Sequence, residues 1–490
     1  MVSNSFIPKA VGMSFVHSII LAWLLVVSGM AAAMPELPDM GAPSDTVLSP
    51  DEEKQLGDAF YRNLHQQVRI SQDPEIQDYI ASLGGHLVAH SEMADRSFHF
   101  FVVMEPEINA FAGPAGYIGV HSGLILASES EGELASVLAH EIAHVTQRHL
   151  QRAFGVAKRM TLPMAAASLA AILLGTQVPE LGQAALVALQ AGSMQHQINF
   201  TRKNEQEADR IGLRILAESD FDPRSMPAFF ERLQQSTRFL GRDIPEFLRT
   251  HPVTSSRIAD TRARANDFPY HQYTDSLGYL LTKTKLKVLT ATDREELESE
   301  FKSLMARGTD LQRAAARYGL ALTRKAQNQL ESSRQLFLEL MKDFPGQPQF
   351  IHGMAETELA LNQTDKALSR YRIALERFPA SWVLKLEYAG ALLDTGHFQD
   401  ARALLQPLVI APEKVQPILL KLLSRTYAGL DKQAEAQRYL AEYHYALGDL
   451  DKAIAHAELA AKMAREDRIL KAVAEERLRY FRAEDKARKR

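Results

Sequence analysis

The sequence predicts an α+β chain that is mostly α, arranged in two parts. The first is a domain with a small sheet built around one ligand-bearing helix. The second is an all-α solenoid. Three observations carry this prediction. The stretch Glu131 to Phe154 holds His140-Glu141-Ile142-Ala143-His144, an HExxH pattern, in a window without Pro and rich in Ala, Leu, Glu and Gln. Such a window favours a helix. About 60 residues later Glu205 and Asp209 stand four apart in a second helix-favouring stretch. From about Thr309 the composition shifts to Ala, Leu, Gln and Arg, and small residues such as Ala367 and Ala401 recur 34 apart, the mark of a repeat array.

Met1 to Ala33 reads as a targeting segment. Lys9 is the only formal charge before an apolar run whose core, Ile19 to Val27, is IILAWLLVV. Ala31 and Ala33 fit an A-x-A cleavage site, and the run is shorter than the roughly 18 to 20 residues a spanning helix needs. A cleaved signal peptide over 1–33 is expected, then a Pro-rich leader over 34–50. The chain has 490 residues, 46% of them hydrophobic, enough for the cores of two or three domains. It has no Cys, so no thiolate can serve as nucleophile or ligand, and a metal must be held by His and carboxylate. The net charge of -4, with no basic block beyond the tail Lys486 to Arg490, argues against nucleic acid as a partner.

In chain order, Ser49-Pro50-Asp51-Glu52-Glu53 looks like a helix start. Asp73 to Ala89 is a second helix with Ile76, Tyr79, Ile80, Leu83 and Leu87 as its apolar positions. Phe98 to Met104 lacks helical period and reads as a strand. Tyr117 to Val120 is a short strand whose Gly119 lets another backbone approach. Tyr117, Ile118, Gly119 and Val120 are expected to form an edge that pairs with an extended peptide substrate.

The HExxH helix comes next. Residues four apart share a helical face, so His140 and His144 can grip one metal ion. Glu141 is rotated about 100° from His140, beside the metal's open position. A catalytic zinc takes three protein ligands plus a water whose pKa falls to roughly 7, low enough for a carboxylate to take its proton. Glu205 shares a face with Asp209 and suits the third, oxygen ligand; Asp209 can hydrogen-bond a ligating histidine. Glu207 points roughly 160° away from Glu205 and is the poorer ligand candidate. Either motif alone has a bland alternative: two chance histidines, or an ordinary charged helix face.

Together, HEIAH and a later ExxxD resemble the gluzincin metallopeptidases of the M48 family. Asn109-Ala110-Phe111-Ala112, followed by Pro114-Ala115-Gly116 and a strand, is similar to the family's segment ahead of the active-site helix, although Pro-Gly-Gly is common there. The resemblance implies a gluzincin-type metalloprotease domain over 51–270 and one Zn2+ per chain, held by His140, His144 and Glu205. It makes Glu141 the general base, Asp209 a supporting or proton-donating residue, and the chain a zinc metalloendopeptidase.

Between the motifs, Thr161 to Thr176 carries no charge but is short for a membrane span. A helical hairpin is expected there, and 160–192 is a candidate for peripheral membrane contact. Ser225 to Leu240 reads as a core helix. His251 precedes Pro252, which biases it away from helix. The His-Pro and following Arg257-Ile258 are similar to a segment near the end of M48 protease domains. His251 is thus a candidate fourth ligand or regulatory residue, able to fill the open position. His149 lies nine residues past His140, about 180° round an unbroken helix, and is expected to face away.

Residues 271–308 are expected to be linker helices. From 309 to 470, Ala355, Ala367, Tyr371 and Ala374 are echoed by Ala389, Ala401, Leu405 and Leu408, and upstream by Ser333, Phe337 and Leu340. This pattern resembles the tetratricopeptide repeat. Ala453 lies 52 past Ala401, so a half-unit slip of register is expected between them. Residues 471–490 form a charged helix or tail. A signal segment, an M48-type protease and such repeats are similar to the branch of the family that works in the periplasm of Gram-negative bacteria. That resemblance implies quality control of outer-membrane β-barrel proteins: degrading misfolded or stalled ones and assisting assembly. The implied partners, barrel proteins and their assembly machinery, would be reached through the repeat surface. A scaffold or chaperone with a silent protease is the rival reading, and the intact HExxH and ExxxD argue against it.

Overall fold

The helix that carries HExxH begins where the sequence supplies a cap. Ser130 is extended and its side chain accepts from the Glu133 backbone N–H, so the helix runs Glu131–Thr146. The computed structural model describes residues 48–153, 162–174, 202–240, 245–270, 272–409 and 416–488. The expected signal segment, most of the leader, and all of 160–192 except 162–174 lie outside them. Within the described residues the fold is mostly helical with one three-stranded sheet.

Two capped helices lead into the sheet. Pro50–Gln67 carries a full capping box between Ser49 and Glu52, and Pro74–Ala89 is capped by Asp73. The strands are β1 (His99–Val103), β2 (Ala110–Ala112) and β3 (Tyr117–His121), in the order β1-β3-β2. β1 pairs parallel with β3, and β2 pairs antiparallel with it. The turn into β3 places Ala115 at φ 55° and Gly116 at φ 75°. A left-handed non-glycine residue costs roughly 1–2 kcal/mol, which is the physical cost of Ala in this turn.

The strand order corrects one expectation. β3 is central and bonded on both sides, so Tyr117, Ile118, Gly119 and Val120 form no open edge. Composition and alternation mark a strand but carry no information on its neighbours. Gly119 does permit a close approach, but of the Phe111 ring from β2: a Cβ there would overlap it. The edge beside the HExxH helix is β2. Asn109 C=O accepts from His121 N–H, and Gly113 N–H donates to Tyr117 C=O. By antiparallel alternation the backbone groups of Ala110 and Ala112 therefore face away from β3.

The HExxH helix is buried along its length. Leu134, Leu138 and Ile142 join one core with Val102, Ile118 and Val120 of the sheet and with Ile211, Ile215, Met226 and Phe229 of two following helices, Arg202–Glu218 and Ser225–Leu240. Gly212 sets how close the first of these comes: a Cβ there would lie 3.2 Å from the His140 backbone nitrogen. The described helix of the apolar stretch, Leu162–Leu173, packs in a second core beside Phe60 and Leu64 of the first helix.

The second half is a helical array. Leu277–Thr290 and Arg294–Arg307 stack on Asp310–Ala326, extending the array towards the protease. Helix pairs then follow from Asp310, Pro348, Trp382 and Pro417. Small residues meet inside each pair: Ala321 with Ser333, Ala355 with Ala367, Ala389 with Ala401, and Ser424 with Ala436, all buried. Ser333 Oγ donates to Ala321 C=O at 2.8 Å, and Ser424 Oγ to Ala436 C=O at 2.9 Å. The expected half-unit slip does not occur. A serine in the alanine position hid the fourth pair, and Ala441 and Ala453 instead join that pair to the next helix, Leu450–Met463. The array folds back on the first two helices. Lys285 Nζ stands 2.6 Å from both Asp73 and Glu75; Trp382 Nε1 donates to Asp78 at 2.7 Å; Arg62 Nη2 donates to Glu484 at 3.0 Å.

Candidate metal centre

Two helices and one short turn meet to form the centre. The HExxH helix supplies His140, Glu141 and His144, and the Arg202–Glu218 helix supplies Glu205 and Asp209. His251 closes the helix Glu246–Thr250 in a non-helical conformation, as a residue before Pro must. All six residues are at most 2% exposed.

His140 Nε2 lies 3.0 Å from His144 Nε2 and 3.4 Å from His251 Nδ1. Each of these two helix-borne nitrogens is 3.5 Å from a Glu205 oxygen, and His251 Nδ1 is 3.2 Å from Glu205 Oε1. Ligands about 2.0–2.1 Å from a tetrahedral ion lie about 3.3 Å from one another. Several of these separations are close to the edges of that tetrahedron, and one donor atom from each of His140, His144, Glu205 and His251 lies within 4.8 Å of the others. Imidazole nitrogens this near each other repel through their lone pairs unless a proton or a cation lies between them. The donor set thus fits a divalent ion such as zinc, with two or three imidazoles and a carboxylate.

A brace stands behind the donors. His140 Nδ1 is 3.0 Å from Asp209 Oδ1. Arg257 holds both carboxylates: Nε and Nη2 donate to Asp209 at 2.8 and 2.7 Å, and Nη1 stands 2.8 Å from Glu205 Oε2. Nη1 also donates to Pro252 C=O at 3.0 Å, which ties in the turn that carries His251. The sequence marks Arg257 only by its place in the segment that follows His251-Pro252, and neither that place nor its helical phase says which helix lies opposite.

Protein groups alone set these charges. Burial opposes charge on His140, but Asp209 and Glu205 outweigh it and raise its pKa to about 9. Burial, then the neighbouring His140 charge, holds His144 well below the usual range. Burial lifts Glu141, with His251 and His140 opposing. Burial also opposes the charge on Glu205, yet His251 and His140 keep it well below the usual carboxylate range. Glu141 Oε1 has no hydrogen-bond partner and stands 3.5 Å from His251 Nε2.

Of the residues singled out by sequence, the structure brings His140, Glu141, His144, Glu205, Asp209 and His251 together. It leaves Tyr117 to Val120 out as an edge. It also overturns one expectation for His149. The helix stops at Thr146, Arg148 turns left-handed at φ 53°, and His149 ends with Nδ1 2.7 Å from His144 Nδ1. Counting phase along an unbroken helix put it on the wrong side. A cleft of about 870 Å³ lies elsewhere, between β1 and the repeat helices, and includes none of the donors.

A buried HExxH helix joined to a carboxylate from a second helix defines a metallopeptidase. The profile of Peptidase family M48 matches residues 74–265, and a tetratricopeptide repeat profile matches 358–415. The chain is 36% identical over 429 residues to the beta-barrel assembly-enhancing protease of Escherichia coli (strain K12), covering 88% of each chain. It is 37% identical over 363 residues to the protein of the same description from Yersinia pestis, covering 74% of each. A mitochondrial metalloendopeptidase of Schizosaccharomyces pombe is 33% identical over 182 residues, 37% of this chain and 50% of that one. The chain belongs to the M48 family of metallopeptidases, with a C-terminal helical region that contains tetratricopeptide repeats.

Proposed function

We propose that this chain is a zinc endopeptidase of the Gram-negative periplasm that acts on outer-membrane β-barrel proteins. It degrades misfolded or stalled ones and assists the assembly of others, after loss of the signal peptide 1–33. The observation that carries the hydrolytic reading is the buried cluster of His140, His144, Glu205 and His251, whose donor atoms lie within 4.8 Å of one another. The names of these bacterial relatives support the choice of substrate. The repeat array, with its long surface for protein segments, supports partners among barrel proteins and their assembly machinery.

His140, His144 and Glu205 would hold the zinc. When bound, the ion supplies Lewis-acid chemistry, polarising the scissile carbonyl and acidifying a water. Glu141 stands beside that position, takes the proton and delivers it to the leaving amine. Asp209 orients His140, and Arg257 fixes Asp209 and Glu205. Ala110 and Ala112 on the β2 edge align the substrate backbone. His251 closes the site in this conformation. Its segment is tied to the residues just ahead of β2, where Phe247 N–H donates to Ile108 C=O at 3.2 Å. Moving that one segment opens the fourth corner.

The test is metal analysis and hydrolysis of an unfolded barrel protein, with wild type and Glu141→Gln side by side. The variant should keep its zinc and fold and lose hydrolysis. Near-wild-type turnover by a clean preparation of it rules out the assigned base.

A further inference from the structure

Two side chains outside the donor set, His149 and Glu207, line up behind His144. His149 Nδ1 is 2.7 Å from His144 Nδ1, and His149 Nε2 is 3.0 Å from Glu207 Oε2. Arg152 Nη1 stands 3.3 Å from that same carboxylate oxygen. The break at Arg148 makes this possible: with φ 53° the chain turns, and His149 opens the short helix His149–Ala153. His149 is 1% exposed, while the Glu207 side chain keeps 30% of its surface.

Proton counting gives the row a direction. His144 turns Nε2 to the donor cluster. A ligating Nε2 offers a lone pair, so neutral His144 carries its proton on Nδ1. Across 2.7 Å only one of two facing nitrogens can bear a proton. His149 therefore accepts at Nδ1 and carries its own proton on Nε2, and that N–H donates to Glu207. We propose that His149 and Glu207 are positioning residues that hold His144 in its ligating tautomer and set the metal affinity of the site. The proposal rests on the metal reading above. It gives each helix-borne imidazole its own support: Asp209 for His140, and the His149–Glu207 pair for His144. Glu205 and Glu207, two apart on one helix, thus serve the same site from different sides.

The experiment titrates Zn2+ alone into metal-free full-length protein against a chromogenic chelator, with circular dichroism as the check on fold. Loss of a partner behind a metal-ligating histidine typically costs about 10–100-fold in affinity. His149→Leu should weaken Zn2+ binding by about that factor. His149→Asn should recover most of it, because its side-chain oxygen can accept from His144 Nδ1–H. Glu207→Met should weaken binding less, by about 10-fold at most. Unchanged affinity in a folded His149→Leu overturns the relay, and so does equal weakening by Leu and Asn, which is what mere packing would give. A wild type that takes up no Zn2+ overturns the metal reading and the relay with it. If His149→Leu does not fold, the wild type decides through its histidine nitrogen-15 spectrum with Zn2+ bound. An Nε2–H tautomer for His149 supports the relay, and an Nδ1–H tautomer overturns it.

Discussion

Arg257→Lys tests how the centre is braced. Arg257 is 4% exposed and makes three contacts to two carboxylates, at 2.7 to 2.8 Å. Lysine keeps the charge but ends in a single ammonium, which cannot grip Asp209 bidentately and reach Glu205 as well. Two of the three charge-assisted bonds are lost. Each contributes about 1.5–3 kcal/mol, and breaking a buried pair costs about 3–5 kcal/mol, so a loss of about 3–5 kcal/mol is expected. At about 2–4 °C per kcal/mol for a domain of this size, the metal-free protein should melt about 6–20 °C lower. Zn2+ affinity should fall about 10–100-fold, because Asp209 no longer holds His140 and Glu205 is free to turn. Scanning calorimetry on the metal-free protein and a chelator competition measure the two effects. A melting point and an affinity both within error of wild type would refute the brace.

The other expectations concern single groups. Glu205→Gln should cost far more bound zinc than Glu207→Gln, since Glu205 lies among the donors while Gln at 207 can still accept from His149; equal loss after dialysis would sink the ligand assignment. His251→Ala should retain zinc through His140, His144 and Glu205 and raise hydrolysis of a general unfolded substrate, because the fourth corner opens; a fall of roughly 10²-fold would instead make His251 a stabiliser of the oxyanion. At the junction with the repeats, burial lifts Glu387 from 4.5 to about 7, with His352 opposing. The folded state then binds that proton more tightly than the unfolded one, so this group's contribution to stability falls as pH rises from 4.5 to about 7. Glu387→Gln should gain in melting temperature over wild type at pH 8 relative to pH 5, and a difference independent of pH would count against it.

The sequence by itself determined whatever depends on neighbours along the chain. Helical phase put His140 with His144 and Glu205 with Asp209 on common faces. Capping chemistry at Ser49, Asp73 and Ser130 set where helices begin. Spaced alanines marked the repeats, and family resemblance tied these local signals to a peptidase. Phase reasoning failed where its premise did. A left-handed Arg148 broke the helix that would have turned His149 away, and a serine at 424 masked the fourth repeat. Tertiary structure alone decided the strand order that makes β2 the edge and the closeness, at Gly212, of the two helices that carry the candidate donors. It also decided the grip of Arg257 and the fold-back of the repeats onto Asp73, Glu75 and Asp78. Those contacts join residues tens to hundreds of positions apart, and a periodic pattern names the face of a helix but not what packs against it.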